Sequence, residues 1–433
     1  MKSSDALRYY LREDVMEKLL SGGKNREYAV RYNDKFGKRP ASFQYKADIE
    51  RAVKSGATSI HISEERWKNP LLLSTEMKKE DLTSLRDGWD LLIDVDCKYF
   101  DISKVYTKLI IDQLKYEGLR EFSVKFSGGS GFHVLIPYEG FPSEINSKDI
   151  NSLFPDAAMI VSIFLKDSLK DKIGEILQKD YGIKKISEIF DMKEVDLYTE
   201  GEFDPYKVIE IDTILISERH LFRMQYSLNE KKWLVSLPID KDKLEEFRLE
   251  DANPEVVNTK IDFFDLKPSK DEAKRLFLDS YDHSAQEPEK VEKEVEHKVY
   301  NLPLDEAALP PCMKEINKGL SDGRKRSVFI LTNFYRSIGK NKEEINSLLI
   351  SWNQRNKPPL KENYIKQQLD YAFSGKSYPP PNCDAAGYYK YFNVCFPNET
   401  CKLIKNPLSY YIRLKGGQKY RKEKNNKASD SNV

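Results

Sequence analysis

The chain has no long apolar run, almost no net charge and few cysteines, and each shortage narrows what it can be. No run of 18 or more apolar residues occurs, so no segment reads as a membrane span. The first residues, Met1-Lys-Ser-Ser-Asp5, lack an apolar signal core, which points to a cytoplasmic protein. Formal net charge is only +1, from 71 basic and 70 acidic residues. A nucleic-acid enzyme needs a local basic groove rather than a basic whole, so this balance neither supports nor excludes DNA. Cysteine occurs 5 times, with none between Cys97 and Cys312. No internal repeat is found. What remains is a 433-residue chain, 39% hydrophobic and 33% charged, long enough for two or three domains. Its Lys, Glu, Tyr and Ile content is of the kind found in thermophiles.

Three segments carry the chemistry. Leu91-Leu-Ile-Asp94-Val-Asp96 sets two carboxylates at i and i+2 on an apolar strand. Alternate strand residues share a face, so Asp94 and Asp96 point one way and Val95 the other. Side by side the acids repel and their pKa values rise, and a divalent metal removes that conflict. Taken alone, the pair also fits a strand end with two solvated acids. Ser123-Val-Lys-Phe126 and Phe132-His-Val-Leu-Ile136 read as strands joined by the turn Ser127-Gly-Gly-Ser-Gly131. Gly128, Gly129 and Gly131 permit positive φ and let a phosphate approach the backbone closely, with His133 beside it. A plain hairpin with a buried histidine is the alternative. The third segment starts at Asp212, which closes the strand Val208-Ile-Glu-Ile211, and runs through His220 to Arg223. Three carboxylates can hold two metal ions about 4 Å apart, an arrangement suited to phosphoryl transfer.

In order, spacing and strand context, these segments resemble the catalytic subunit of archaeo-eukaryotic DNA primases. That family carries Asp-x-Asp on a strand, then Ser-Gly-x-x-Gly-x-His, then a distant third Asp. A His-Leu-hydrophobic-basic stretch and a Ser-Leu-His-x-Lys-like turn follow. Here these are Asp94/Asp96, Ser127/Gly128/Gly131/His133, Asp212, His220-Leu-Phe-Arg223 and Ser227-Leu-Asn-Glu-Lys231. The likeness extends upstream through Tyr9-Tyr10, Arg26-Glu27 and residues 59–63, and covers most of residues 1–240. It implies that Asp94, Asp96 and Asp212 bind catalytic Mg or Mn. It implies that Ser127, Gly128, Gly131 and His133 hold nucleotide phosphates, with Arg223 and Lys231 adding positive charge. His220, Ser227 and Asn229 would belong to the same pocket. Two departures are visible. Asn229 stands where the family has His, which removes a charge from the nucleotide pocket but leaves the metal carboxylates untouched. Nor can the Cys/His zinc site of many family members exist in its usual form, since no cysteine lies between Cys97 and Cys312.

Domain boundaries are readable. Residues 1–285 alternate strand-like and helix-like runs and read as an α+β catalytic domain. Within it, Ala157, Met159, Ile160, Ile163, Leu165, Leu169, Ile173 and Leu177 predict a helical insertion over 155–180. The segment 262–279 reads as a closing helix. Residues 286–300 are charged and poor in apolar side chains, so they read as a linker, with a solvated helix as the alternative. Residues 301–413 read as an all-α domain. Val328, Phe329, Leu331, Phe334, Tyr335 and Ile338 predict an amphipathic helix over 324–338, ended by Gly339. Asn341-Lys-Glu-Glu344 resembles a capping box for the next helix, Pro358-Pro359 breaks it, and 365–373 forms another. Residues 414–433 read as a disordered basic tail that could add weak DNA affinity.

Cys312, Cys383, Cys395 and Cys401 all fall in the helical domain, and such clustering in a cytosolic chain suggests a metal or cluster site. Two disulfides, a tetrahedral zinc or four buried reduced thiols are the alternatives. The pattern around these cysteines resembles the C-terminal domain of the primase large subunit. That resemblance implies a [4Fe–4S] cluster on the four thiols and a role in holding template and initiating nucleotide. Lys318 and Arg324-Lys-Arg326 sit where a helix start could favour phosphate. Tyr388, Tyr389, Tyr391 and Phe392 with nearby basic residues suit single-stranded DNA, or else form the bundle core.

The sequence thus predicts a single-chain DNA primase: a catalytic domain fused to the C-terminal domain of a large subunit, without the N-terminal domain of that large subunit. Its partners would be single-stranded DNA template, NTPs or dNTPs, and a replicative polymerase or helicase, and the fusion suits a monomer. Two other classes fit the same motifs. One is a primase-polymerase for plasmid replication or gap filling that mainly extends existing ends. The other is a non-catalytic template-binding protein, against which three intact carboxylates argue.

Overall fold

Helices α1 (Ser3–Tyr10) and α2 (Glu13–Ser21) open the chain ahead of strands β1 (Arg26–Tyr32) and β2 (Lys35–Phe36). Helix α3 (Lys46–Lys54), β3 (Ser59–Trp67), α4 (Lys79–Leu85), β4 (Arg86–Trp89) and β5 (Leu91–Asp96) follow. Helix α5 (Phe100–Tyr116) leads to β6 (Ser123–Phe126) and β7 (Phe132–Ile136). A short hairpin, β8 (Glu144–Ile145) and β9 (Lys148–Asp149), precedes the long helix α6 (Asp156–Asp180) and α7 (Ile183–Phe190). A second short hairpin, β10 (Tyr198–Thr199) and β11 (Glu202–Phe203), precedes β12 (Glu210–Ile211), β13 (Leu221–Arg223), β14 (Pro238–Ile239) and α8 (Lys274–Gln286). These elements make up a first unit, residues 1–288; residues 289–433 form a second. The computed structural model describes residues 3–33, 35–74, 77–199, 201–211, 217–286, 299–374, 378–385 and 388–415. The predicted linker and basic tail therefore lie almost wholly outside the described residues, and Asp212 lies outside them too.

The first unit is α+β, as expected, with two antiparallel sheets. One has the order β13-β3-β1-β2, with β4 also on β3, and the other the order β12-β5-β7-β6-β14. In the second sheet the strand alternation separates two environments. Leu91, Ile93 and Val95 share a face with Phe132, Val134 and Ile136, and with Val124 and Phe126; all are buried against α5 and α6. Helix α6 reaches that core through Ala157, Val161, Leu165, Leu169, Ile173 and Leu177, the four-residue spacing of one helical face. The opposite face begins apolar at Leu92 and Leu135, which join the core of the first sheet and α1–α3. It then turns polar at Asp94, His133 and Lys125. Alternation thus delivers the acidic pair to the polar end of an otherwise buried strand.

Two elements differ from the sequence reading. The strand predicted over 208–211 is only Glu210–Ile211, and the closing helix begins at Lys274 rather than near 262. Residues 262–273 are instead held by side chains: Gln225 Oε1 accepts from Phe263 N–H at 2.8 Å and Glu272 Oε2 from Ser269 N–H at 2.9 Å. Such local partners compete with helical backbone bonds.

The second unit is helical: α9 (Pro311–Asn317), α10 (Arg324–Ser337), α11 (Lys342–Asn353) and α12 (Glu362–Ser374), with a further helical stretch at 407–415. The predicted capping box forms, with Asn341 Oδ1 accepting from Glu344 N–H and Glu344 accepting from Asn341 N–H, both at 2.9 Å. Gly339 follows α10 at φ 89°. Among the described residues no helix is long and apolar enough to cross a membrane.

Candidate functional site

Cross-strand register places Asp94 opposite His133, and His133 opposite Lys125. The three side chains therefore stand in one row on one face of the sheet. His133 Nε2 lies 3.4 Å from Asp94 Oδ1. Its other nitrogen, Nδ1, is 2.7 Å from Lys125 Nζ. His133 is only 5% exposed and Lys125 is wholly buried, whereas the Asp94 carboxylate is 35% exposed. Burial, reinforced by the Lys125 and Arg223 charges, holds the His133 pKa well below the usual histidine value. Burial and Arg223 push the Lys125 pKa down as well, while Asp94 opposes that shift. Asp96, two residues on, is exposed on the same face.

The two carboxylates supply hard oxygen donors, the set that suits Mg or Mn. Among the described residues no group of three His, Cys, Asp or Glu is arranged to hold a single ion. The expected third ligand, Asp212, is outside those residues. Strand β12 runs to its doorstep: Glu210 pairs with Asp96 and Ile211 with Val95.

The glycine loop is folded onto this row. Ser127 N–H donates to Gly131 O at 3.0 Å, and Ser127 Oγ accepts from Gly129 N–H at 3.3 Å. Gly128 has φ 85°, a conformation open to glycine at little cost. A Cβ on Gly131 would lie 2.0 Å from the Val95 carbonyl oxygen. Gly131 is thus required by the backbone of β5, not by a ligand's approach. The turn after β13 packs on the loop: Lys232 Nζ donates to Gly129 O at 3.1 Å.

Other expected residues take mixed positions. Asn229 Oδ1 accepts from Lys231 N–H at 2.9 Å and Lys232 N–H at 3.0 Å, so this amide shapes the turn. Ser227 is completely buried, its Oγ accepting from Ile60 N–H at 2.8 Å and meeting Tyr10 Oη at 3.3 Å. It lies beneath the site rather than on its surface. Arg223 pairs with Glu230 at 2.9 Å, and Glu230 also pairs with Arg31 at 2.9 Å. The positive charge expected from Arg223 is therefore largely compensated. His220 Nδ1 bonds the buried Glu64 carboxylate. Its neighbour Arg219, at φ 58°, is clamped by Glu27 through Nε at 2.8 Å and Nη2 at 2.7 Å. Lys125, Glu27, Glu64 and Glu230 did not stand out in sequence. Only Lys125 left a sign there, as a lone charge between Val124 and Phe126 just ahead of the glycine turn.

The second unit holds a separate constellation. Cys312, Cys383, Cys395 and Cys401 line one cavity of about 260 Å³ together with Pro310, Tyr389 and Pro397. None of the four is in a disulfide. Burial, with the neighbouring thiols adding to it, pushes Cys312 up to about 12 and Cys383 up to about 11. Four sulfurs around a space of that size fit a multi-iron cluster better than one zinc ion, which needs its ligands at about 2.3 Å. The basic residues expected to bind phosphate are near one another only in part. Lys318 caps the end of α9 and pairs with Glu315, rather than opening α10. At the start of α10, Arg324 Nη1 donates to Pro358 O at 2.5 Å, and Lys325 stands over the Tyr364 ring. Arg326 lies 4.6 Å from the Tyr391 ring centroid. Tyr389 and Phe392 are core residues, whereas Tyr391 is 66% exposed.

Residues 302–388 match the family formed by the C-terminal domain of the large subunit of eukaryotic and archaeal DNA primase. The DNA primase large subunit PriL of Thermococcus kodakarensis is 32% identical, over 26% of this chain and 37% of that one. An uncharacterised protein of Methanocaldococcus jannaschii is 24% identical over 65% of this chain and 64% of that one. The chain thus spans less than two thirds of the length of these relatives. A solved structure, the polymerase domain from Mycobacterium tuberculosis ligase D in complex with DNA, covers 67% of this chain and 91% of its own length at 14% identity with a TM-score of 0.35. The chain is therefore related to archaeal and eukaryotic DNA primases, and the matched region lies within its helical unit.

Proposed function

We propose that this chain is a single-chain DNA primase that joins nucleoside triphosphates into short primers on single-stranded DNA. In this reading residues 1–285 carry out nucleotidyl transfer and 301–413 serve initiation. The observation that carries it is the row Asp94–His133–Lys125, with Asp96 beside it and the glycine loop folded over its end. It stands in a chain whose other unit is related to the primase large subunit.

Asp94, Asp96 and Asp212 would hold Mg or Mn. Ions bound there would activate the attacking hydroxyl and neutralise the departing pyrophosphate. In the reaction a nucleotide 3′-hydroxyl attacks the α-phosphate of the next triphosphate; the new P–O bond forms, pyrophosphate leaves, and the hydroxyl proton passes to water. The chain's own residues bind and orient. His133 offers a nitrogen at the carboxylate edge, Ser127 and the loop N–H groups face the phosphates, and Lys231 and Lys232 supply charge on the adjoining turn. Cys312, Cys383, Cys395 and Cys401 would hold a [4Fe–4S] cluster, which would tie together loops that share few apolar contacts. The tethered unit would keep the initiating 5′-triphosphate at high effective concentration; Lys325 and Arg326 with Tyr391 are the residues proposed to meet it or the template.

Primer-free synthesis tests the reading. Wild-type protein should make short products from nucleoside triphosphates on single-stranded DNA. Asp94→Asn should lose this activity while retaining DNA binding. A protein that only lengthens supplied ends would be the gap-filling polymerase instead.

A further inference from the structure

We infer that Lys125 is a positioning residue for the nucleotide site: its buried ammonium donates to His133 Nδ1 and thereby holds the imidazole neutral, with its proton on Nε2 facing Asp94. This role rests on the proposed nucleotide site for its purpose, but the hydrogen-bond arrangement stands on geometry alone.

Lys125 is fully buried and has three hydrogen-bond partners, none of them a carboxylate: His133 Nδ1 at 2.7 Å, the Arg223 carbonyl at 2.8 Å and Ser236 Oγ at 2.7 Å. The Arg223 carbonyl can only accept. Ser236 Oγ already donates its proton to Phe126 O at 3.1 Å, so toward Lys125 it too accepts. An ammonium has three protons, which matches three acceptors if Nδ1 is the third. A neutral amine would also satisfy the cluster, with Nδ1–H donating to the lysine lone pair. The far side of the ring decides between them. That second arrangement would leave a bare Nε2 lone pair 3.4 Å from the Asp94 oxygen, a repulsive contact, whereas Nε2–H faces the carboxylate favourably. The remaining option moves one proton from Nζ to Nδ1 and makes the ring cationic. Lysine is the stronger base by about four pKa units in water, so the proton stays on Nζ. Phe222 and Phe263 flank the ammonium, their ring centroids 5.5 and 5.3 Å from Nζ, which gives it partial compensation on the apolar side.

The consequence is a preformed neutral donor at the site's edge. Nε2–H can pass from the Asp94 oxygen to a phosphate oxygen without a change of tautomer, and a donor fixed in advance needs little reorganisation when charge arrives.

NMR of the imidazole nitrogens in the full-length, metal-free protein tests this directly. The chain has 5 histidines, and the His133→Asn variant identifies the His133 signals. The expected wild-type spectrum at neutral pH shows Nε2 protonated and Nδ1 as a hydrogen-bonded acceptor. A His133 protonated on Nδ1, or on both nitrogens, overturns the inference. In Lys125→Met, which keeps the side chain's length and apolar body, the ring should show mixed tautomers. KM for the nucleoside triphosphate should rise about tenfold, more than kcat falls, the loss expected of one misplaced hydrogen bond to a charged group. An unchanged tautomer and KM in that variant overturn Lys125 as the cause. The wild-type spectrum is decisive even if the variant fails to fold. A protein that shows the expected tautomers but no nucleotidyl transfer supports this inference and rejects the functional reading.

Discussion

Gly131 and Gly129 sit two residues apart in the same loop and make opposite demands. A methyl on Gly131 would meet the Val95 carbonyl oxygen at 2.0 Å, while one on Gly129 would find its nearest neighbour, the Asn229 Nδ2, at 3.5 Å. Gly131→Ala must therefore push β7 away from β5, next to Asp94, and should cost about 1–3 kcal/mol. Gly129→Ala should stay within about 0.5 kcal/mol of wild type. Urea unfolding of the two variants checks the contrast. The sequence made all three loop glycines look like phosphate-cradle residues, because a glycine needed for a ligand and one needed for a neighbouring strand are identical on paper. The acids and His133 were legible, since strand alternation alone puts Asp94 and Asp96 on one face. The groups that tune them were not: Glu64 meets His220, and Glu230 meets Arg31, across long stretches of chain that no local pattern encodes.

At the scale of elements, α6 and α11 were readable because each states its rule locally. The first repeats apolar residues every four positions, and the second carries both partners of a capping box. Asn341→Ala should accordingly cost about 1 kcal/mol, read by thermal denaturation. Where an element ends through tertiary contacts the reading slipped, as with α8, whose predicted first turns are held open by Gln225 and Glu272. The joints between strands make a pH prediction. Asp90, between β4 and β5, is buried, and burial alone would raise its pKa. Arg26 and Arg66 outweigh that and hold it below 3.8. Burial likewise opposes Glu27, but Arg219 and Arg39 bring it below 4.5. Both acids bind fewer protons folded than unfolded, so stability rises with pH wherever the unfolded carboxyls titrate. It should be flat above about pH 5 and fall as acid takes the pH through 4.5 and 3.8. Asp90→Asn leaves Arg26 buried without its counter-charge. It should lose about 3–5 kcal/mol near neutrality and show a shallower acid limb in melting temperature against pH.

Across the whole molecule, the chain joins an acidic strand-edge site in one unit to four thiols around a cavity in the other. Anaerobically purified protein should carry about four irons per chain with visible absorbance. Cys383→Ser should lose both, and chelation should lower the melting temperature by removing a ligand that binds only the folded state. The division of labour predicts that this variant still extends a supplied primer while initiating poorly. The related family region stops at residue 388, so Cys395 and Cys401 rest on the cavity they share with Cys312 and Cys383.

The most direct test is primer-independent synthesis on single-stranded DNA by the full-length chain with Mg or Mn, run beside Asp94→Asn and Asp96→Asn. Short products from the wild type and none from either variant, with DNA binding retained in both, are the predicted result. Products of equal yield from the variants, or a wild type that extends supplied ends but never begins one, would contradict the account.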